Sequence, residues 1–185
     1  MNDDIDVEPN TLNSCEKFHY KENLWTQVAD LNTERAYAGV VSFPQQKIQN
    51  STFALKADSN GIKDSFHRLL NIYVFGGLQD FTALDSIEKY DALLDTWTTL
   101  NIKIPLRVAK IGVSVLEKGR SIILCGGIFS NQDNEFSYIN TAYKLDFETT
   151  KWTKMPNMNE NRVLYSSMPR SSDKIFAIGG SFEGI

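Results

Sequence analysis

An all-β fold made of repeated units is predicted by two regularities in the 185-residue sequence. First, a short apolar run that ends in a pair of glycines recurs, with the first glycines spaced by 50 and then 53 residues. Second, each of the 3 tryptophans is followed by an arginine ten residues later. A period near 50 residues is typical of the four-stranded blades of a β-propeller. The glycine pairs are Gly76-Gly77, Gly126-Gly127 and Gly179-Gly180.

The tryptophan register fixes the order of strands within each unit. A large apolar residue precedes every tryptophan by seven positions, so three anchors recur in the same order. Tryptophan offers a large flat surface that packs between neighbouring sheets, and paired glycines let two backbones approach closely. We therefore interpret all of these anchors as structural. The triplets are Phe18, Trp25 and Arg35; Tyr90, Trp97 and Arg107; and Leu145, Trp152 and Arg162.

The anchors resemble the kelch motif, in which a glycine pair ends one strand, an aromatic residue and a tryptophan follow, and a basic residue opens the next blade. The resemblance covers residues 15–185, and the middle repeat, with Tyr90 and Trp97, is closest to the pattern. The third repeat departs from it, because Leu145 stands where the tyrosine belongs. This substitution is expected to weaken an aromatic contact without changing the fold. The resemblance implies a kelch-type β-propeller with strands a to d in each blade.

In that order the chain supplies an incomplete propeller. We expect a lone d strand around Trp25, two complete blades over residues 36–100 and 108–154, and strands a and b that end at Gly180. These eleven strands are fewer than the ~16 of the smallest propellers, so the ring cannot close alone. Two copies together would still lack two strands. The sequence therefore predicts part of a longer kelch protein, whose remaining blades, or else an oligomeric partner, close the ring.

Two segments stand outside the repeats. Residues 1–14 hold Asp3, Asp4, Asp6 and Glu8 without a basic residue, and they are predicted to be a disordered acidic leader. Residues 44–68 form an insertion between strands a and b of the first complete blade, because the arginine and the glycine pair are farther apart there than in the other units. This polar segment contains the turn signal Asn60-Gly61 and is expected to be a disordered loop.

Composition excludes several classes of protein. With 19 basic and 23 acidic side chains the net charge is −4, and no basic excess favours nucleic acid. No run approaches the ~18 apolar residues of a membrane span, and the N-terminus lacks a secretory signal, so a cytoplasmic location is predicted. Cys15 and Cys125 cannot form a disulfide framework and are interpreted as ordinary thiols.

No pattern in the sequence points to catalysis, a metal or a cofactor. The 2 histidines, His19 and His67, have no partner at metal-ligand spacing. Carboxylates in the predicted b–c loops are interpreted as solvated. Some kelch-type propellers are oxidases or epimerases that act on sugars. A fragment of such an enzyme, with its active site completed by further blades, is the alternative that this resemblance leaves open.

The favoured function is binding of a protein or peptide through loops on one face of a rigid scaffold. In kelch substrate adaptors these are the d–a and b–c loops, which the resemblance maps onto this chain. Three arginines at one repeat position are predicted to clamp an acidic peptide, although each could instead cap strand carbonyls of its own blade. Apolar loop residues are predicted to anchor the partner, and Phe81, Phe129 and Phe182 are expected either to form a hydrophobic rim or to pack inward against the next blade. The family implies substrate recruitment to a ubiquitin ligase, or cytoskeletal attachment. The candidate partner-binding residues are Arg35, Arg107, Arg162, Leu78, Gln79, Phe81, Ile128, Phe129, Ser181 and Phe182.

Overall fold

The computed structural model describes residues 11–44, 70–169 and 174–182. Most of the predicted leader, residues 1–14, and nearly all of the predicted insertion, residues 44–68, lie outside these ranges. The described part of the chain is built from antiparallel β-sheets joined by turns. It contains no helix that is both long enough and apolar enough to cross a membrane.

The N-terminal unit is a pair of strands, not the single strand that the sequence analysis predicts. Phe18 lies opposite Trp25, and their rings are 5.0 Å apart. Tyr90 and Trp97 repeat this arrangement across strands c and d of the first complete blade, with rings 5.1 Å apart. The predicted lone d strand is therefore wrong, because Phe18 belongs to a c strand paired with it. The two strands are β1 (Cys15–His19) and β2 (Leu24–Val28).

Two complete four-stranded blades follow, as predicted. In each blade neighbouring strands pair antiparallel in the order a, b, c, d. The first blade and the hairpin in its b–c loop comprise β3 (Gly39–Pro44), β4 (Leu70–Phe75), β5 (Leu78–Gln79), β6 (Thr82–Ala83), β7 (Ile87–Asp91) and β8 (Thr96–Thr99). The second unit comprises β9 (Val108–Ala109), β10 (Gly112–Leu116), β11 (Ser121–Cys125), β12 (Ile128–Ser130), β13 (Phe136–Tyr138), β14 (Ala142–Asp146) and β15 (Lys151–Met155). Strands β5 and β6 pair in the first unit, and β12 pairs with both β13 and β9 in the second.

A second pair of strands lies at the C-terminal side of the described residues. Strand β16 (Ser166–Pro169) pairs antiparallel with β17 (Ile175–Ile178), in the places of strands a and b. The described residues therefore supply twelve blade strands, not the predicted eleven. They form two complete blades flanked by a c–d half-blade before them and an a–b half-blade after them.

The main core lies between the two complete blades. Strand β3 packs on β10, and β10 packs on β16. Phe75, Ile122 and Leu145 are fully buried in this region. A Cβ atom on Gly39 would collide with the Val113 side chain of the next blade, so only glycine permits this close packing.

Leu145 fits this core although its own side chain is not aromatic. It lies opposite Trp152 across strands β14 and β15 and is completely buried. The substitution that departs from the kelch pattern thus replaces a ring–ring pair with an aliphatic contact, and the blade keeps its four strands.

Candidate partner-binding face

The d–a and b–c loops form one surface at the same end of the blades. In each unit the segment after the arginine pairs antiparallel with the segment after the glycine pair. Ala36 pairs with Leu78, Val163 pairs with Ser181, and strand β9 pairs with β12. The two kinds of loop predicted to bind a partner are therefore hydrogen-bonded to each other. This joint surface is called the loop platform below.

A groove of about 430 Å³ lies on the loop platform between the two complete units. Its aromatic side chains are exposed by 54% at Phe81, 50% at Tyr37, 42% at Phe136 and 37% at Tyr138. Four partly exposed rings around one depression make a surface that can receive an apolar side chain. The lining residues are Tyr37, Leu78, Phe81, Lys110, Ile128, Phe136, Ser137 and Tyr138.

Leu78 and Ile128 support the groove from below. They are only 6% and 8% exposed, and they belong to a small core that also contains Ala83, Ala109 and Val163. This core is separate from the one between the blades. Leu78 and Ile128, predicted as partner-binding residues, therefore pack inward. Their side chains form the floor of the groove, and they do not belong to the exposed aromatic residues around it.

Arg35 lies inside the fold. The residue is 7% exposed, and its guanidinium forms an ion pair with Glu88, which is completely buried. Its Nη1 also donates to the Gly76 carbonyl oxygen at 2.8 Å. Burial lowers the pKa of the Arg35 guanidinium, while the Glu88 carboxylate opposes this shift. This geometry matches the capping role, and it leaves Arg35 inaccessible to a partner.

Arg162 and Arg107 are more accessible. Arg162 Nη1 donates to the Gly179 carbonyl oxygen at 2.7 Å, as Arg35 does to Gly76, but its Nη2 pairs with the exposed Glu160. Arg107 binds the b–c loop of its own unit, where its Nη2 donates to the Asn131 carbonyl oxygen. All three arginines thus bond to carbonyl groups of their own units.

The remaining predicted residues are dispersed over the loop platform. Phe81 is the only one of the three predicted phenylalanines that lines the groove. Phe182 is exposed by 60% near Ser181, whereas Phe129 is half-buried in β12. Gln79 Nε2 donates to Glu34 Oε1 at 3.4 Å. The structure therefore does not bring the three phenylalanines into one hydrophobic rim.

Three residues that the sequence analysis did not select share one place in the repeat. Tyr37, Lys110 and Leu164 each lie just before strand a, with φ angles of 55°, 53° and 52°. This left-handed conformation is uncommon for non-glycine residues. Lys110 Nζ lies 4.9 Å from the Tyr37 ring centroid, a cation–π geometry. A search for the residues between each arginine and the next apolar strand would have found all three.

Within the described residues no group of three histidine, cysteine, aspartate or glutamate side chains is arranged to hold a metal ion. Cys125 is buried between blades, and burial raises the pKa of its thiol to about 11. Such a thiol is protonated at neutral pH and is a poor nucleophile.

Known proteins that resemble this chain carry kelch-type repeats or a propeller fold. No protein-family model matches the chain. Alpha-scruin of Limulus polyphemus is 24% identical over 185 residues, which are 95% of this chain and 19% of that protein. Kelch-like protein 25 of Xenopus tropicalis is 25% identical over 173 residues, 93% of this chain and 23% of that protein. Leucine-zipper-like transcriptional regulator 1 of Mus musculus is 24% identical over 175 residues, covering 92% of this chain and 19% of that protein.

Among solved structures, YjhT superposes with a TM-score of 0.66 at 15% identity, over 92% of this chain and 52% of that chain. The chain thus spans about a fifth of the curated relatives it matches. The repeat anchors, the blade topology and these similarities show a kelch-type β-propeller fold, of which the described residues form two complete blades and a half-blade on either side.

Proposed function

We propose that this chain is a non-enzymatic interaction module that binds a peptide or protein partner on its loop platform. The observation that carries the proposal is the groove of about 430 Å³ between the two complete units, with four partly exposed aromatic rings around it. Aromatic residues are enriched among the residues that dominate binding energy at protein interfaces.

The groove favours an apolar or aromatic anchor that is flanked by a carboxylate. Phe81 and Phe136 offer apolar ring faces, and Tyr37 and Tyr138 add hydroxyl groups that can bond to a peptide backbone. Lys110 is the cationic residue in the lining and lies against the Tyr37 ring. An acidic residue next to the anchor would gain a favourable interaction with the Lys110 ammonium. We therefore keep the prediction of an acidic partner, but its principal cationic contact is Lys110 instead of the arginines.

The platform is suited to this role because it is rigid where it meets the core. Its floor residues Leu78 and Ile128 are buried, and each loop is hydrogen-bonded to another loop of the same unit. A preorganised surface loses less conformational entropy on binding than a mobile one. Arg107 and Arg162 flank the platform as accessible cations.

The cellular role of the whole protein is a more specific proposal than peptide binding. Recruitment of a substrate to a ubiquitin ligase and attachment to the cytoskeleton are both compatible with a peptide-binding platform. A domain fused to the propeller would decide between them. The sugar-processing alternative stays a prediction, since its active site would need residues from further blades.

Selection from a random peptide library displayed on phage tests the proposed binding mode. We expect enriched peptides to share an aromatic or large apolar residue beside an aspartate or glutamate. Phe136→Ala and Tyr37→Ala should each weaken binding of a selected peptide, measured by fluorescence anisotropy, by about tenfold, because such anchors contribute more than ~1 kcal/mol.

Leu93→Ala is the matched control, since Leu93 is exposed by 69% in the turn between β7 and β8, outside the loop platform. It should leave the affinity unchanged. Recovery of no common motif, or equal binding by the wild type and Phe136→Ala, would contradict the proposal.

A further inference from the structure

The groove on the loop platform holds a cation without a counter-ion. Lys110 is the charged residue among those that line the groove. Its ammonium lies against the Tyr37 ring, and its backbone amide donates to the Tyr37 carbonyl oxygen at 2.9 Å. No carboxylate in the described part of the chain forms an ion pair with Lys110, whereas Lys103 and Lys144 each pair with one. The groove therefore favours an acidic occupant beside its aromatic rings.

Residues 1–10 of this chain have the composition that the groove favours. They contain four acidic side chains and no basic one. Ile5 lies between Asp4 and Asp6, so a large apolar side chain has a carboxylate on either side. A peptide proposed to bind the groove would show this same pattern, an apolar anchor next to an acidic residue.

The chain meets the loop platform directly after these residues. The Arg35 amide donates to the Leu12 carbonyl oxygen at 3.0 Å, and the next residue, Ala36, pairs with Leu78 on the platform. Leu12 stands six residues before the aromatic residue of its c strand, as Leu84 does in the first complete blade. Leu84 directly follows the b–c hairpin of that blade. The segment before Leu12 therefore reaches the platform at the place of a b–c loop.

The groove is within reach of Ile5. Tyr37 lines the groove and follows Arg35 by two residues. Hydrogen-bonded neighbours have Cα atoms about 5.5 Å apart, and two residues span at most ~7 Å, so Leu12 and Tyr37 lie within ~13 Å of each other. The seven residues from Ile5 to Leu12 span up to ~25 Å when extended. The connection is therefore long enough for the Ile5 side chain to meet the rings of the groove.

We propose that residues 3–8 bind in this groove of the same chain, with the Ile5 side chain against its aromatic rings. The Asp4 and Asp6 carboxylates then lie near the Lys110 ammonium. The bound segment occupies the site of an external partner, which must displace it. This inference rests on the proposed function, because it takes the groove to be a peptide-binding site.

The covalent connection makes a weak contact effective. A short tether gives an effective concentration in the millimolar range. A segment that binds with a dissociation constant near 1 mM would therefore fill the groove in most molecules. The apparent affinity of an external partner falls in proportion to the fraction of free groove. The segment thus sets a threshold that a tightly binding partner passes and a weak one does not.

Competition with an external peptide gives the first test. With the peptide selected on the loop platform, Ile5→Ser in the 185-residue chain should bind about threefold more tightly than the wild type, because the groove is then free. Asp4→Asn combined with Asp6→Asn should also increase the affinity. Fluorescence anisotropy measures both changes. Equal affinities of the wild type and Ile5→Ser would overturn the contact within the chain.

Ile48→Ser is the matched control for this measurement. It makes the same substitution in the segment that connects β3 to β4, at the end of the blade away from the loop platform. The peptide affinity should stay at the wild-type value. An increase equal to that of Ile5→Ser would contradict a specific role of Ile5.

A nitroxide label at position 2 detects the contact without an external peptide. Asn2→Cys combined with Cys15→Ser provides one accessible thiol, since Cys125 is buried. The label should broaden the backbone amide resonances of Lys110 and Ser137, which line the groove. Ile5→Ser should remove this broadening, and dilution should not, because the contact lies within one chain. Sharp resonances at both residues, or broadening that Ile5→Ser does not change, would overturn the proposal.

The same label at Leu93→Cys, also combined with Cys15→Ser, is the control for the spectra. Leu93 is exposed in the turn between β7 and β8, outside the loop platform, and the label there should leave the groove resonances sharp.

Charge reversal tests the part of Lys110. Lys110→Glu should reduce the broadening caused by the label at position 2, since like charges then face each other. Adding Asp4→Lys and Asp6→Lys to Lys110→Glu should restore it. Failure of the reversed charges to restore the broadening would reject the pairing of these carboxylates with Lys110.

The two kinds of measurement separate this inference from the proposed function. Broadening that depends on Ile5, found together with no binding of any library peptide, would support the contact within the chain and contradict an external partner. Peptide binding without broadening would support the proposed function and overturn the contact within the chain.

Discussion

Arg35 and Arg162 occupy the same place in the repeat, yet their surroundings differ. Both donate to the carbonyl oxygen of the first glycine in their own pair, at 2.8 Å and 2.7 Å. Arg35 also pairs with the fully buried Glu88, whereas Arg162 pairs with a surface glutamate, Glu160, whose side chain is 67% exposed. The repeat motif therefore determines the hydrogen bond from the arginine to the glycine carbonyl oxygen. The carboxylate that pairs with the arginine, Glu88 or Glu160, lies outside the motif and determines how much the arginine contributes to the stability of the fold.

The tryptophans show the same contrast between units. Trp97 Nε1 donates to the Ala29 carbonyl oxygen at 3.0 Å, which ties the first complete blade to the segment after β2. Trp152 Nε1 is buried and has no hydrogen-bond partner among the described residues. Two tryptophans in identical register thus differ in a bond that a sequence repeat does not encode.

Glu88→Gln should have the largest effect on stability. The substitution leaves the Arg35 charge buried without a counter-ion, and breaking a buried pair in this way costs about 3–5 kcal/mol. Glu88 also accepts hydrogen bonds from the backbone amides of Asn32 and Thr33, so the d–a loop should loosen as well. Urea unfolding at fixed protein concentration measures the loss. A loss below about 1 kcal/mol would show that the buried Arg35–Glu88 pair contributes no more than a surface ion pair does.

Trp97→Phe should destabilise the chain more than Trp152→Phe, by about 1 kcal/mol. Both substitutions remove the same volume, but only the first breaks a hydrogen bond and leaves the Ala29 carbonyl oxygen without that donor. The second removes a buried N–H group that no described residue accepts a hydrogen bond from. Thermal unfolding of both variants gives the difference, and equal losses would contradict the contrast between the units.

Arg162→Ala should have a small effect, within about 1 kcal/mol, because its ion pair with Glu160 is on the surface. Added salt should reduce the effect further by screening. Arg162→Ala and Glu88→Gln, compared in the same unfolding assay, isolate what burial adds to an arginine at this place in the repeat.

Acid should weaken the first complete blade through Asp95. Its Oδ1 accepts hydrogen bonds from the Ala29 amide and the Tyr90 hydroxyl, which hold the pKa of the carboxyl below its usual 3.8. A depressed folded-state pKa contributes stability that is present above 3.8 and lost as the pH falls through the lower value.

Asp95→Asn is the control for this dependence, since it keeps the turn chemistry without the charge. The melting temperature of the wild type should fall more than that of Asp95→Asn between neutral pH and pH below 3.8. If the melting temperatures of both proteins fall equally with pH, Asp95 is not the cause of the acid sensitivity.

The fold was largely predictable because its anchors are periodic. Glycine pairs and tryptophans recur wherever blades must approach closely, and they located both complete blades. The strand around Phe18 was missed because the glycine pair that marks a preceding b strand has no counterpart before it in the sequence. Phe18 itself carried the signal, since Tyr90 occupies the same place in a complete c strand.

The candidate site was less predictable, because a repeat position does not report burial. Arg35 and Leu78 share loops with exposed residues, but Glu88 and the small core beneath the platform draw their side chains inward. Tyr37 and Lys110 are displayed by the backbone conformation, which apolar periodicity does not reveal.

The left-handed residues before strand a have a consequence for the evolution of this surface. Each of them makes the folded state about 1–2 kcal/mol less stable than a glycine would, because its Cβ atom crowds the backbone. Selection for thermal stability alone would therefore favour Tyr37→Gly, Lys110→Gly and Leu164→Gly, and would erase the ring and the charge at the groove. Tyr37 and Lys110 line the groove. If bulky side chains persist at these two positions under such selection, binding is the reason that the backbone strain is tolerated.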